Sequence, residues 1–346
     1  MADNKRNVRL AIIGAIVVVV AVAVVFGARL GTRQLTSSNN ADLIPIKVQT
    51  YKNCASTAWV VADKKGFLAK EGIKLVYTGE LPTPAQSLAA VLNGNNDVAV
   101  GQPNLLAIAR SNGANVTAVA RNQIEPPANV DPVFRHMRFY VNPKSGIKTV
   151  ADLKNYKPGQ KIKVDGTANS CNQFLFNTLL DKYGVPRNRL EWETFTNDIT
   201  VVQSTSQGIL DIAAIHPPYY KSSDEAGLVL IDDSTDTDLG ASAGSALYFF
   251  RDDYIKNNPA TISKFVKAMV AAQKWSNENP QDAIKLTADW INVPQVAGVH
   301  YFATTSEIKE SDLTPWIKDL ENAGALKPGQ IKPADLITTQ FENVAP

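Results

Sequence analysis

The sequence contains two copies of one short pattern, and this internal repeat constrains the fold more than any other feature. Residues 94–103 read GNNDVAVGQP, and residues 208–217 read GILDIAAIHP. In both segments a glycine precedes an apolar strand, and a polar residue and a proline follow it. Glycine is typical of the end of one helix and proline of the start of the next. Each copy therefore predicts a helix, a turn, a strand and a second helix.

A second repeat lies upstream of the first, in the same order in both halves of the chain. Residues 48–54 (VQTYKNC) precede a helix that ends near Gly72, and residues 162–171 (IKVDGTANSC) precede a helix that ends near Gly184. Strands that alternate with helices of 3.6-residue periodicity favour parallel sheets covered by helices. We therefore expect an α/β chain built from two matching lobes.

The repeats also place the lobe boundaries. We expect lobe 1 to comprise residues 44–141 plus 247–346, and lobe 2 to comprise residues 142–246. The chain then crosses between the lobes twice, near residues 139–142 and 246–250. Two extended crossings form a hinge, which suits closure around a ligand.

The N-terminal segment differs from the rest of the chain. Lys5, Arg6 and Arg9 precede an uncharged stretch that begins at Leu10. A membrane-spanning helix needs about 20 apolar residues, whereas the apolar core of a cleaved signal has about 7–15. We expect residues 1–30 to be an uncleaved signal anchor, with a cleaved signal sequence as the alternative. Residues 31–43 are then a polar linker, and the basic residues send the folded body outward.

Three segments resemble one known family. Residues 58–73, which include KKGFLAKEGI, are similar to the opening helix of the nitrate-, taurine- and alkanesulfonate-binding proteins of ABC importers. Residues 146–154 (GIKTVADLK) and 208–219 resemble later segments of that family. The resemblance implies a two-lobed periplasmic-binding-protein fold of type II, each lobe a mostly parallel sheet flanked by helices, preceded by one N-terminal hydrophobic helix. His216 departs from the aromatic and acidic residues usual there, which points to a shifted ligand preference.

The ligand is expected in the crevice between the lobes. In open parallel sheets, ligands lie beyond the carboxyl ends of the strands, where unpaired N–H groups of helix N-termini can bind an anion. The predicted ligand-binding residues are Asn53, Cys54, Ser56, Thr57, Glu80, Gln102, Asn104, Thr167, Asn169, Ser170, Cys171, Asn172, His216 and Tyr219. Because Ser, Thr and Asn cap helices in general, the prediction depends on their convergence from both lobes.

The charge of these loops favours a ligand of low charge. They contain no Arg, and Lys52 is their one cation, whereas Glu80 and Asp198 are able to receive an ammonium group. We expect a small low-charge anion or a zwitterion, such as a sulfonate, taurine or nitrate. A heterocyclic, thiamine-pyrimidine-like solute stacked on Tyr219 is the alternative.

The cysteines and histidines are few and scattered. Cys54 and Cys171 occupy matching places in the repeats, which predicts separate thiols on opposite walls of the cleft, with a disulfide across it as the alternative. His136 is expected at the surface and His300 in packing, so that His216 alone is placed for contact with a ligand. With no cluster at metal-ligand spacing, no metal and no cofactor are predicted.

These features together predict the solute-binding subunit of an ABC-type importer and not an enzyme. Such a subunit binds a small molecule, works as a monomer with a permease in the membrane, and lies on the periplasmic or extracellular face, anchored or secreted. A membrane-anchored ligand-sensing domain is the alternative. The net charge of +2 and the absence of a basic run argue against nucleic acid as a partner.

Overall fold

The computed structural model describes residues 43–167, 169–195, 197–293 and 295–344. The predicted signal anchor and almost all of the linker, residues 1–42, lie outside the described part of the chain. Among the described residues, no helix combines the length and the apolar composition that crossing a membrane requires.

The strands of the described residues form three sheets, in the orders β1-β2, β3-β10-β4 and β7-β6-β8-β5-β9. In chain order the strands are β1 (Ile44–Val48), β2 (Ile73–Tyr77), β3 (Val98–Gly101), β4 (Val116–Arg121), β5 (Arg138–Val141), β6 (Ile162–Asp165), β7 (Leu190–Glu193), β8 (Ile212–Ile215), β9 (Val229–Asp233) and β10 (Leu247–Arg251). Most are rich in Val, Ile and aromatic residues, which fit a pleated and half-buried surface.

Helices connect the strands and cover the sheets. They are α1 (Thr57–Lys64), α2 (Phe67–Lys70), α3 (Pro84–Leu92), α4 (Pro103–Ser111), α5 (Cys171–Tyr183), α6 (Asp198–Ser206), α7 (Tyr220–Glu225), α8 (Asp252–Asn257), α9 (Pro259–Glu278), α10 (Pro280–Ile291) and α11 (Glu310–Asn322). The α/β class and the two-lobed architecture expected from the sequence are confirmed.

The first repeat folds as its pattern predicts. Gly94 and Gly208 both adopt the left-handed conformation, with φ of +80° and +74°, directly after a helix. Glycine is the residue that takes this conformation without steric cost. Pro103 then begins α4, and Pro217 begins a short 3₁₀ helix, Pro217–Tyr219, that leads directly into α7.

The two crossing segments are themselves strands, and both run against their neighbours. β5 is antiparallel to β8 and β9, and β10 is antiparallel to β3 and β4. The pairs β1–β2, β6–β7 and β6–β8 are parallel. Each crossing strand therefore runs opposite to the other strands of its sheet.

The sheets are packed on separate apolar cores. Under the smaller sheets, Trp59 stacks on Tyr51 at 5.6 Å between ring centroids and meets Tyr248 edge-on. Under the five-stranded sheet, Phe174 of α5 stacks on Trp316 of α11 at 3.9 Å. Leu313 of α11 belongs to a separate core, which includes residues of β3, β4 and β10. This helix therefore joins two cores. With this packing, the carboxyl ends of the parallel strands in both lobes face the same cleft.

Candidate functional site in the cleft

A cavity of about 390 Å³ lies at the carboxyl ends of the strands. Its wall is formed by the loops that follow β1, β2 and β3 together with the loops that follow β6, β7 and β8. Ligands of open parallel sheets bind at this end of the strands. The cavity therefore lies where the sequence placed the ligand.

Most of the predicted binding residues line this cavity. Those on the wall are Asn53, Cys54, Glu80, Gln102, Thr167, Ser170, Cys171, Asn172, His216 and Tyr219. They come from both copies of the repeat, so the folded chain brings the two sets of loops together. Their contact with a ligand stays a prediction.

Four predicted residues lie off the cavity wall. Ser56 and Thr57 are fully buried at the start of α1, where Thr57 Oγ1 lies 2.8 Å from Thr287 Oγ1. The Asn104 amide donates to the carbonyl of Ser170 at 3.4 Å. Asn169 adopts a left-handed φ of +62° in the turn before α5. The contacts of Thr57 and Asn104 hold their loops in place, whereas the buried Ser56 hydroxyl has no hydrogen-bond partner among the described residues.

The N-terminal end of α5 faces the cavity. Ser170 caps the helix by accepting a hydrogen bond from the Gln173 N–H at 3.2 Å, and Cys171 is the first helical residue. The Cys171 thiol is buried and lies 3.8 Å from His216 Nε2. A polar group of a ligand at this place would meet the positive end of the helix dipole.

A buried carboxyl group, Asp165, lies beside this helix start at the end of β6. The Asn172 amide donates to Asp165 Oδ2 at 2.8 Å. Burial, together with the nearby Asp198 carboxylate, raises the pKa of Asp165 to about 8. The group is therefore mostly protonated at neutral pH and can donate a hydrogen bond into the cavity.

His216 is held by Asp198 at the opposite end of its ring from Cys171. Its backbone N–H and its Nδ1 both lie 3.0 Å from Asp198 Oδ2. Burial disfavours the charged ring, but the Cys54 sulfur and the Asp198 carboxylate outweigh burial and raise the pKa of His216 well above its ordinary value. Asp198, the first residue of α6, is thus in direct contact with the site.

The expectation that His136 lies at the surface is wrong. His136 is buried, lines the cavity, and stacks on the buried ring of His300 at 4.7 Å. Within the described part of the chain, neither ring nitrogen of His136 has a hydrogen-bond partner, and His300 Nδ1 also has none. Burial and the nearby His216 charge lower the pKa of His136 to about 3, so the ring is neutral. An unsatisfied buried polar group costs about 1–3 kcal/mol, so this arrangement calls for an explanation.

The two cysteines approach His216 from different loops and are both free thiols. Cys54 follows β1, and Cys171 begins α5. Burial raises the pKa of Cys54 although His216 lies close to it, which favours the protonated thiol.

The cavity carries little net charge. Among its described lining residues, Lys52 is the only Lys or Arg, and its ammonium group donates to the Trp290 carbonyl and lies 4.3 Å from the centroid of the Trp290 ring. The charge of His216 is paired with Asp198, and Glu80 is exposed at the rim. A ligand with a large net charge would find no matching excess of opposite charge here.

Six lining residues with ionisable side chains are absent from the predicted set: Tyr51, Lys52, His136, Asp165, Asp198 and His300. Asp165 is the last residue of β6. Because ligands bind beyond the carboxyl ends of parallel strands, the sequence pattern that indicated Thr167 and Ser170 could also have indicated Asp165. His136 and His300 lie outside the repeated loops, and nothing in their local sequence indicates the cavity.

The chain has the two-lobed α/β fold of periplasmic binding proteins. A family profile described as NMT1/THI5 like matches residues 53–283, well over half of the chain. The chain belongs to the NMT1/THI5-like family. No curated protein matches the sequence with significant similarity.

Solved structures share the fold at low sequence identity. The aliphatic sulphonate-binding protein SsuA from Escherichia coli is 21% identical, with a TM-score of 0.67 over 86% of this chain and 92% of that one. The nitrate-binding protein NrtA from Synechocystis PCC 6803 is 13% identical, with a TM-score of 0.70 over 86% and 87%. The desulfurization enzyme DSZB is 12% identical, with a TM-score of 0.60 over 86% and 97%. At these identities the likeness establishes the fold alone.

Proposed function

We propose that the chain is the extracytoplasmic solute-binding subunit of an ABC-type importer. One observation carries the proposal: a single cavity is lined by matching loops from both copies of the repeat. Family membership and the likeness to a sulphonate-binding and a nitrate-binding protein support binding rather than catalysis. Two lobes joined by two crossings are suited to close on a solute and to present it to a partner.

The location and the partner of the chain belong to this proposal. We place the folded body on the periplasmic or extracellular face, held by residues 1–30 or secreted, where it works as a monomer with a membrane permease. We propose lobe boundaries near those expected from the sequence. The pairing of β5 with β8 and β9 favours a first crossing just before Arg138.

The solute that fits this cavity best is a small anion or zwitterion of low net charge. The His216 imidazolium is largely neutralised by Asp198, which lies 3.0 Å away. Asp165 keeps its proton near neutral pH because burial raises its pKa to about 8. Hydrogen-bond donors from Asp165, His216 and the start of α5 would hold one anionic group, whereas a dianion would lack cations.

A thermal-shift screen tests the proposal on the full-length chain. Taurine, alkanesulfonates, nitrate, amino acids and heterocycles are each added, and one class should raise the melting temperature in a saturable manner, as ligands that bind only the folded state do. Ser170→Leu should abolish the shift because the leucine side chain enters the cavity. Ser111→Leu, at the end of α4 away from the cavity, is the matched control and should keep it. A shift that survives Ser170→Leu would exclude this cleft as the site.

A further inference from the structure

A group of nitrogen and sulfur donors lies on the cavity wall. One donor atom from each of His136, Cys171 and His216 can be chosen so that all lie within 4.8 Å of one another, and all three residues are buried. Imidazole nitrogen and thiolate sulfur are the donors that zinc and copper(I) prefer, whereas magnesium and calcium prefer oxygen. Carboxylates alone gather on many protein surfaces, but a buried group of this composition is selective for soft metals.

The His216 ring is oriented as a metal-binding histidine is. Its Nδ1 lies 3.0 Å from Asp198 Oδ2, so the hydrogen on Nδ1 is donated to the carboxylate. The other nitrogen, Nε2, is directed towards Cys171 Sγ at 3.8 Å. Histidine ligands commonly donate their second nitrogen to a carboxylate, which fixes the ring and makes the ligating nitrogen more basic.

His136 supplies the independent observation. Both of its ring nitrogens are buried without a hydrogen-bond partner among the described residues. The ring is held in place by His300, which stacks on it with an interplanar angle of 28°. A neutral imidazole always has one nitrogen lone pair, and here that lone pair has no hydrogen to accept. A metal ion would occupy it.

We propose that His136, Cys171 and His216 bind a thiophilic transition-metal ion, Zn²⁺ or Cu⁺. On binding, Cys171 releases its thiol proton to solvent, and the metal takes the place of any proton on His216 Nε2. Ligands around a tetrahedral zinc lie roughly 3.3–3.8 Å apart, given bonds of about 2.0–2.3 Å, so the donors draw together by about 1 Å. The site shares the cleft with the proposed function but does not depend on the nature of the solute.

Cobalt(II) is the first probe, because a thiolate ligand gives it a charge-transfer band in the near ultraviolet. The full-length chain is freed of metal with a chelator and then titrated with Co²⁺. A band that saturates at one equivalent and is bleached by Zn²⁺ supports the site. Competition with a zinc chelator and with a copper(I) chelator gives the two affinities and thereby decides between the ions. Excess Mg²⁺ should leave the band unchanged.

Variants assign the ligands. Cys171→Ser should remove the band, and His136→Gln should weaken binding by at least about tenfold. Asp198→Asn, which changes only the group that orients His216, should weaken it by about tenfold. Asp282→Asn, which changes an exposed carboxylate of α10 away from the cavity, is the matched control for Asp198→Asn and should keep both band and affinity.

Several results would overturn the proposal. Absence of any saturable band with Co²⁺ together with no Zn²⁺ or Cu⁺ binding would exclude the site, even if the solute screen succeeds. A band lost with Cys54→Ser but kept with Cys171→Ser would exclude this set of ligands. Circular dichroism and thermal unfolding of each metal-free variant separate lost ligation from lost folding, and Cys171→Ala provides a second test where the serine variant does not fold.

Discussion

His216 and Asp198 are joined twice, because the backbone N–H and the ring Nδ1 of His216 both lie 3.0 Å from the same Asp198 carboxylate oxygen. His216 follows β8, and Asp198 is the first residue of α6. A single carboxylate therefore fixes the loop after one strand and sets the direction of the ring. It does so at a helix N-terminus, where a negative charge is stabilised.

Asp198→Ala should destabilise the fold by roughly 2–4 kcal/mol. The change leaves two hydrogen-bond donors of His216 without an acceptor, and each such buried group costs about 1–3 kcal/mol. Urea unfolding of the metal-free chain measures the effect. Thr83→Ala is the matched control, since the Thr83 hydroxyl serves the capping box of α3, where it accepts from the Gln86 N–H and donates to Gln86 Oε1. Loss of a cap costs about 1 kcal/mol. Equal losses in the two variants would mean that Asp198 acts as an ordinary helix-start residue.

Asp165 should make stability depend on pH. The folded state raises the pKa of this carboxyl to about 8 through burial and the nearby Asp198 carboxylate. The folded chain thus binds a proton more tightly than the unfolded chain, and stability falls as pH rises from about 4 to about 8. Asp165→Asn removes this cost and keeps the size of the side chain. The variant should therefore gain roughly 2–5 kcal/mol relative to the natural chain at pH 8.5.

Unfolding in urea at pH 5 and at pH 8.5 checks this prediction for both chains. The gain of Asp165→Asn should be small at pH 5, where the natural carboxyl is already protonated, and large at pH 8.5. Asp282→Asn changes an exposed carboxylate on α10, and its effect should be near zero at both values. A gain that is the same at both pH values would show that Asp165 is ionised in the folded state throughout.

The repeats made the loops of the site predictable, because the rule involved is local. A strand of known direction places the residues after it at one edge of the sheet, and this is how Cys54, Cys171 and His216 were selected. The same rule applied to the last residue of β6 would have added Asp165. Thr57 and Asn104 follow the same pattern but lie off the wall, because one turn of a helix is enough to direct a side chain away from the cavity.

The histidine cluster was not predictable in this way. His136 lies in the segment before β5 and His300 lies far along the chain, yet their rings stack at 4.7 Å. The contact depends on how the segments between the two lobes pack, and no local periodicity encodes it. The antiparallel direction of β5 and β10 has the same origin, since it is set by where the chain enters a sheet and not by the composition of the strand.

Gly166→Ala should disturb the loop that leads from β6 to α5. Gly166 has a φ of +156°, and a Cβ at this position would lie 2.8 Å from the Trp192 ring. The clash and the strained backbone should together cost roughly 2–4 kcal/mol. Gly113→Ala is the matched control, because Gly113 has a φ of +81° but open space around its Cβ position. It should cost about 1 kcal/mol from the backbone alone. If the two costs are equal in urea unfolding, close packing on Trp192 is not required.

Trp316→Ala should destabilise the chain by about 3–5 kcal/mol, the cost of removing a large side chain from a packed core. Trp316 is fully buried, stacks on Phe174 at 3.9 Å, and donates its Nε1 hydrogen to the Ser242 carbonyl at 3.0 Å. Both cores should lose stability together, because α11 joins the core under the five-stranded sheet to the core that contains Leu313.

Two further variants separate the contributions of Trp316. Trp316→Phe keeps an aromatic ring on Phe174 but loses the hydrogen bond, so it should cost about 1–3 kcal/mol. Trp275→Ala removes a tryptophan that is only partly buried on α9, where Lys65 lies 4.4 Å from its ring centroid, and should cost less than Trp316→Ala. Equal losses for Trp275→Ala and Trp316→Ala, measured by urea unfolding, would mean that α11 does not tie the two cores together. The crossing strands β5 and β10 alone would then hold the two cores together.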